Sequence, residues 1–343
     1  MTAPPLPELS IVIVAYNSLA DLSRCLPTLA RAARNLAHEV ILVDNYGHDH
    51  LADWVKTHYP AGRFIANPVN SGYAGGNNLG IGQATGTWTL LLNPDTELEP
   101  DSLDRLMATA RQNPDAFITP KLLNPDGTIN ACGNQMQYTG VTSCRGLNQP
   151  ASAYVAIEEV PLLSGAALLA PTRALRELGG FEESYFMYFE DTDLSLRARL
   201  AAYTLLCEPR AVITHYYRLG MSPDKFYYLE RNRLLTFLRV FSRSTLMRLL
   251  PALLLTEALM WSFTLRGVSY MSARFRAYQW IWQHGAVIRK QHQQIQRQRR
   301  VSDRQVLQNS LVALPFDQLV GGGVGKVLNA LLQPIYRLLR PRL

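Results

Sequence analysis

Leu9-Ser10-Ile11-Val12-Ile13-Val14-Ala15 is a short, nearly unbroken apolar run rich in β-branched residues. A segment apolar on both faces needs cover on both, which is the situation of a strand inside a parallel sheet. A helix should follow. Ser18 with Asp21 three residues later forms a capping-box-like start, and Leu22, Leu26, Leu29 and Ala30 keep a helical stripe before Asn35. Val40-Ile41-Leu42-Val43-Asp44 then repeats the strand pattern. A third strand near residues 63–66, a helix over about 73–84, a fourth strand at 88–92 and a helix over 101–111 continue the alternation. The expected class is α/β, with a doubly wound, mostly parallel sheet over residues 1–114. From Pro120 the pattern changes. Asn124-Pro125-Asp126-Gly127 is a turn, and residues 128–170 read as shorter, partly antiparallel strands forming the other side of a cleft.

Charge separates the chain into two regions. Residues 1–230 hold 16 basic against 24 acidic residues, and residues 231–343 hold 18 against 3. The apolar company of the rear charges points to an anionic membrane surface and to no nucleic acid. Arg248, Pro251 and Glu257 interrupt residues 245–265, which therefore fall short of the roughly 20 clean apolar residues of a bilayer span. The segment reads as interfacial or half-buried. Trp261, Tyr270, Arg274, Arg276, Trp280, Trp282, Arg289 and Lys290 then suit a headgroup region. A helical subdomain with a solvated basic face is the plainer alternative. Residues 291–300 read as a solvated helix or linker. Cys25, Cys132, Cys144 and Cys207 lie far apart, which fits a reducing compartment. Residues 1–8 are proline-rich and lack a signal-peptide pattern, so the catalytic part is expected in the cytoplasm.

The chemistry concentrates in a few places. Tyr185-Phe186-Met187-Tyr188-Phe189-Glu190-Asp191-Thr192-Asp193 crowds three carboxylates among aromatic rings, where apolar surroundings raise a carboxylate's pKa and make it a base. Simple helix capping is the alternative for Asp191 and Asp193. Leu90-Leu91-Leu92-Asn93-Pro94-Asp95 ends an apolar run on a lone carboxylate, suited to a divalent cation that bridges phosphates or to an ordinary turn. Asp44 ends a strand where it can accept from a pyrimidine N–H or ribose hydroxyls, or cap a helix. Residues 70–80, with glycines at 72, 75, 76 and 80, suit a diphosphate at a helix start or a tight turn packed by glycine. They lack the dinucleotide glycine spacing, which disfavours an oxidoreductase. Gly321-Gly322-Gly323-Val324-Gly325-Lys326 has neither the spacing nor the Ser/Thr of a phosphate loop and reads as a flexible break. His215 alone reads as a structural histidine.

In combination these pieces resemble the family 2 inverting glycosyltransferases of the GT-A fold, in the branch that includes rhamnosyltransferases and galactofuranosyltransferases. Residues 10–17, Val43-Asp44-Asn45, residues 70–80, Leu92-Asn93-Pro94-Asp95, residues 163–169, 179–183, 186–193 and 215–222 carry the resemblance, in order, across roughly residues 9–240. Asn93-Pro94-Asp95 stands where many members have Asp-X-Asp, and Tyr46-Gly47-His48-Asp49 replaces a serine-rich continuation.

The resemblance implies that Ala15, Tyr16, Asn17 and Asp44 hold the nucleoside, with Gly72, Asn77, Asn93 and Asp95 completing the donor site. It further implies Asp191 as catalytic base, Glu190 and Asp193 on the acceptor side, and Asp95 with His215 as ligands of Mg²⁺ or Mn²⁺. The expected organisation is a nucleotide-sugar half over residues 1–114, an acceptor half over 115–240 and a basic, apolar helical membrane-associating extension over 241–343. The donor is expected to be dTDP-rhamnose first and UDP-galactofuranose, a UDP-sugar, second. The acceptor is a polyprenyl-diphosphate-linked glycan at the cytoplasmic face of the plasma membrane, with a homo-oligomer left open. A noncatalytic nucleotide-sugar-binding scaffold is the rival reading.

Overall fold

The computed structural model describes residues 6–217, 220–319 and 322–340; the proline-rich residues 1–5 lie outside them. By packing, the chain divides into two compact units. The first holds residues 1–133, 144–194 and 203–218, and the second residues 134–143, 195–202 and 219–343.

The first unit is built on one large sheet. β1 (Leu9–Ala15), β2 (His38–Asn45), β3 (Arg63–Asn67) and β4 (Trp88–Leu92) alternate with α1 (Leu19–Ala32), α2 (Leu51–His58) and α3 (Gly72–Gln83). β5 (Thr96–Leu98), α4 (Ser102–Gln112), β6 (Ala116–Leu123) and β7 (Ile129–Ala131) follow. β8 (Asn134–Met136) and β9 (Thr142–Cys144) form a separate two-stranded ribbon. β10 (Glu158–Glu159), β11 (Ala167–Pro171), α5 (Thr172–Glu177), α6 (Glu190–Leu200) and β12 (Thr204–His215) complete the series. The large sheet has the order β10-β12-β6-β11-β4-β1-β2-β3. β4, β1, β2 and β3 run parallel, as does β12 with β6, and β11 enters antiparallel between β4 and β6.

Burial explains the sequence pattern. All five residues of β4 are buried, whereas edge strand β3 exposes Arg63. α3 can approach β1 closely because two of its residues lack side chains. A Cβ on Gly76 would lie 2.5 Å from Val14 Cγ1, and one on Gly80 would collide with Val12. These two glycines serve helix packing. The expected capping box at Ser18 does not form. Ser18 Oγ donates to Tyr16 O at 3.0 Å, while the Leu19 N–H is taken by Asp49 Oδ2 at 2.8 Å. A distant carboxylate thus satisfies the helix start. All four cysteines are free thiols.

The second unit, to which the β8–β9 ribbon belongs up to Ser143, is otherwise mainly helical: α7 (Pro223–Val240), α8 (Arg243–Trp261), α9 (Val268–Gln283), α10 (Gly285–Gln298), α11 (Asp303–Leu307), α12 (Phe316–Leu319) and α13 (Gly322–Leu339). Ser222 caps α7, accepting from Lys225 N, with Pro223 pre-set for the first turn. α8 and the 3-10 turn after it form a 24-residue segment, Arg243–Arg266, long and apolar enough by composition to cross a bilayer, whose most apolar 18-residue stretch has a mean hydropathy of 1.4. Only 28% of its most apolar stretch is buried. Thr245, Leu249, Ala252, Thr256 and Met260 form its inward stripe, leaving Met247, Leu250 and Leu254 exposed.

Arg274 corrects the headgroup reading. It is buried and pairs with both Glu230 and Glu257, while Arg233 donates to the same two carboxylates at 3.0 and 2.6 Å. Tyr278 adds a hydrogen bond to Glu257, and Trp261 Nε1 donates to Tyr278 Oη at 3.1 Å. Tyr270 is likewise tied inward, donating to Met221 O at 2.6 Å. A buried arginine needs a carboxylate partner, and Glu257, which appears in the sequence as an interruption of an apolar run, is that partner.

The expected break at residues 321–326 is helical from Gly322 on, with Gly321 outside the described residues. The apolar spacing beyond it carries the helix. Tyr336 anchors it, its hydroxyl bonded to Thr256 Oγ1 at 2.7 Å and its carbonyl accepting from Tyr138 Oη at 2.6 Å.

Candidate active site

The carboxyl ends of the parallel strands gather the first group of polar residues, as open α/β sheets do. Ala15 is buried at the end of β1, followed by the half-exposed Tyr16 and by Asn17, which takes a left-handed φ of 51°. Asn17 Oδ1 accepts from His48 N, and Asp44 Oδ1 from Gly47 N, both at 2.8 Å. Asp44 therefore closes the turn after β2 with one oxygen. Its buried neighbour Asn45 organises the glycine-rich loop. Asn45 Oδ1 accepts from Asn67 Nδ2, Ser71 N and Ser71 Oγ, and its Nδ2 donates to Gly72 O at 2.9 Å.

Gly72 has φ +69°, and a Cβ there would strike the Phe186 carbonyl, so this loop reaches the acidic segment only through a glycine. Ala74 N donates to that same carbonyl at 3.3 Å. Asn77 is buried, with its Nδ2 turned back to Tyr73 O at 2.9 Å.

Asp95 and His215 face one another. His215 Nε2 stands 3.4 Å from Asp95 Oδ1, both atoms are buried, and neither makes a hydrogen bond. Asn130 Oδ1 lies 3.4 Å from the other ring nitrogen, and the Tyr217 ring stacks on the imidazole. Burial alone would raise the Asp95 pKa, but the His215 ring and neighbouring hydrogen bonds hold it below the usual value. An ionised oxygen and an imidazole nitrogen with no mutual hydrogen bond fit a divalent cation. Among the described residues no third His, Cys, Asp or Glu joins them, so further ligands have to come from phosphate oxygens or water.

The acidic segment lies on strained backbone. Phe186, Tyr188 and Phe189 all have φ between 61° and 70°, a region unfavourable for residues with side chains. This run delivers Glu190 and Asp191 into the first turn of α6. Asp191 Oδ2 accepts from Gly165 N at 3.0 Å and Oδ1 from Thr192 N at 2.6 Å. Burial raises the Asp191 pKa against these hydrogen bonds, and burial with the adjacent Asp191 charge drives Glu190 well above the ordinary range. Glu190 Oε2 is buried without a hydrogen bond. Asp193 is fully buried and accepts from Tyr185 Oη at 3.1 Å, an inward position for a residue assigned by resemblance to the acceptor side.

One short stretch joins these groups. Gly165 holds Asp191 through its N–H and accepts from Tyr73 Oη at 2.5 Å, while the next residue, Ala166, accepts from Asn93 N at 2.9 Å. The base candidate and the Asn93-Pro94-Asp95 turn are thus fixed to consecutive residues. Tyr217, stacked on His215, also hydrogen-bonds Tyr188, which adds a second link. Sequence reading did not assign roles to Asn45, Tyr73, Asn130, Gly165 or Tyr217. Gly165 lies within a stretch that carried the resemblance, but a backbone donor leaves no mark on residue type.

The chain is similar to known glycosyltransferases. The family model described as glycosyl transferase family 2 matches residues 10–160. The N-acetylglucosaminyl-diphospho-decaprenol L-rhamnosyltransferase of Mycobacterium tuberculosis is 28% identical over 260 residues, spanning 68% of this chain and 84% of that one. The structure of S. aureus TarS 1-349 in complex with UDP-GlcNAc is similar with a TM-score of 0.56 at 18% identity, covering 79% of each chain. That of GalNAc-T7 with UDP, GalNAc and Mn²⁺ has a TM-score of 0.58 at 17% identity, and this chain spans 49% of it.

Proposed function

We infer a single-displacement sugar transfer for this chain, which belongs to the family 2 glycosyltransferases, in their rhamnosyltransferase-like branch, and has the GT-A fold. It acts in glycan biosynthesis. The observation that carries the mechanism is the Gly165-Ala166 stretch, whose two consecutive residues hold Asp191 and the Asn93-to-Asp95 turn.

Asp191 takes the proton of an acceptor hydroxyl as that oxygen bonds to the anomeric carbon. The bond from that carbon to the donor's diphosphate oxygen breaks, the centre inverts and the nucleoside diphosphate leaves. A carboxylate whose proton affinity burial has raised is a stronger base than a solvated one. Asp95 and His215 would hold Mg²⁺ or Mn²⁺, which when bound supplies positive charge to the diphosphate leaving group. Ala15, Tyr16, Asn17 and Asp44 hold the nucleoside. Gly72, Asn77 and Asn93 border the rest of the donor, and Glu190 shapes the acceptor side, with Asp193 supporting the segment from within through Tyr185.

The donor we favour is dTDP-rhamnose, with a UDP-sugar second, and the acceptor a polyprenyl-diphosphate-linked glycan. The decaprenol-linked substrate named for the mycobacterial relative supports that acceptor class. Residues 241–343 bring the enzyme to the anionic cytoplasmic face of the plasma membrane, beside a donor half over 1–114 and an acceptor half over 115–240. Exposed apolar side chains on α8, α9 and α13 support this placement.

Asp95→Ala tests the donor site. Its affinity for dTDP measured with Mn²⁺ should fall by more than the ~10–100-fold that outer-sphere changes cost. Equal dTDP affinity in wild type and variant, or an unchanged Mn²⁺ titration, would return Asp95 to an ordinary turn.

A further inference from the structure

We propose that the second unit carries a site for the phosphate headgroup of a membrane lipid, formed by α7, α8, α9 and α10. The site deepens the membrane-facing reading above and rests on it.

A groove of about 260 Å³ lies among these helices. Leu238, Leu246, Ile281 and Ile288 give it an apolar lining, and Arg243, Arg289, His292 and Gln293 its polar groups. α10 presents Gly285, Ile288, Arg289, His292 and Gln293 at spacings of three and four, a single helical face. Gly285 lines the groove at the start of α10, where a Cβ would make only ordinary contact with Arg289, at 3.7 Å. Arg243 is the first residue of α8, where helix N–H groups favour an anion.

The charge on these two arginines is unspent. Among the described residues Arg243 and Arg289 make no ion pair, whereas Arg233, Arg274 and Arg299 are each matched to a carboxylate. The neighbouring acids are committed elsewhere: Glu257 to Arg233 and Arg274, and Asp303 to Arg299 and the Ser242 N–H. Two unpaired guanidiniums suit the phosphate of an anionic lipid. The apolar lining distinguishes a lipid from free phosphate. Trp282, 83% exposed, follows Ile281, and the exposed Met247 and Val287 adjoin Leu246 and Ile288, so apolar contact continues beyond the groove.

The test is calorimetric titration of the full chain with dihexanoyl phosphatidylglycerol below its micelle concentration, beside inorganic phosphate and dihexanoyl phosphatidylcholine. The expected result is saturable binding of the phosphatidylglycerol, at least about tenfold tighter than either control. Arg243→Gln/Arg289→Gln should lose at least about tenfold, and Gly285→Leu, which fills the groove beside Arg289 and leaves both charges in place, should lose a similar factor. Absence of saturable binding, equal binding by the folded variants, or phosphate matching the lipid would overturn the site. Titrating dTDP and Mn²⁺ into the same proteins separates the two readings. Nucleotide binding without lipid binding removes the groove alone, and lipid binding without nucleotide binding removes the dTDP-donor reading alone.

Discussion

Buried carboxylates occur in both units, under opposite electrostatic conditions. In the first unit Glu190 and Asp191 adjoin one another, and burial raises the pKa of each. In the second unit burial works the same way on Glu257, but Arg233, Arg274 and Tyr278 overcome it and hold the group below its ordinary value. On the reading proposed above, the difference separates an acid-base site from a structural one. A fully compensated carboxylate has little reason to accept a proton, whereas one left under-compensated keeps proton affinity for a reaction.

Four experiments test that contrast, the largest effect first. Asp191→Asn should lower turnover by about 10²–10⁴-fold with donor affinity nearly unchanged, because the lost group acts only in the transition state; steady-state kinetics beside donor titration decides it, and an active variant would end the assignment. Arg274→Met leaves the two carboxylates Glu230 and Glu257 to share the single guanidinium of Arg233, and should cost roughly 3–5 kcal/mol in urea unfolding. A loss below 1 kcal/mol would mean that the network is as weak as a surface pair.

The third experiment follows stability against pH in Glu190→Gln and Glu257→Gln. The Glu190 pKa is raised above 4.5 in the folded chain, so its contribution is complete below that value and is lost as pH rises through the folded pKa. The Glu257 pKa is lowered, so its contribution is present above 4.5 and is lost as pH falls through the folded value. Relative to wild type, Glu190→Gln should therefore gain stability between acid and neutral pH, and Glu257→Gln should lose it. Changes of the same sign would erase the distinction. The smallest effect is expected from Asp224→Asn, which removes an exposed partner 3.4 Å from Arg276 and should stay within about 1 kcal/mol.

The front of the sheet was legible because β1, β2 and β4 are buried strands whose apolar runs admit few other structures. β11 was not placed by its sequence, since its antiparallel insertion between β4 and β6 depends on partners distant in the chain. Of the site, the charged residues stood out and their supports did not: Gly165 acts through a backbone N–H, and Asn130 reaches His215 from 85 positions away. The glycines of residues 72–80 had suggested phosphate, yet Gly76 and Gly80 are explained by α3 packing on β1. Arg274 shows the converse error. Among exposed aromatics an arginine resembles a lipid contact until the glutamates that bury it are located.

The left-handed run at Phe186, Tyr188 and Phe189 has a consequence for the order of assembly. A newly made chain gains nothing locally from those angles; it adopts them only when α3 and the stretch before β11 are already in place to receive Phe186 and Asp191. The proposed base is therefore expected to reach its place late, and warming should extinguish turnover at a lower temperature than it melts the sheet.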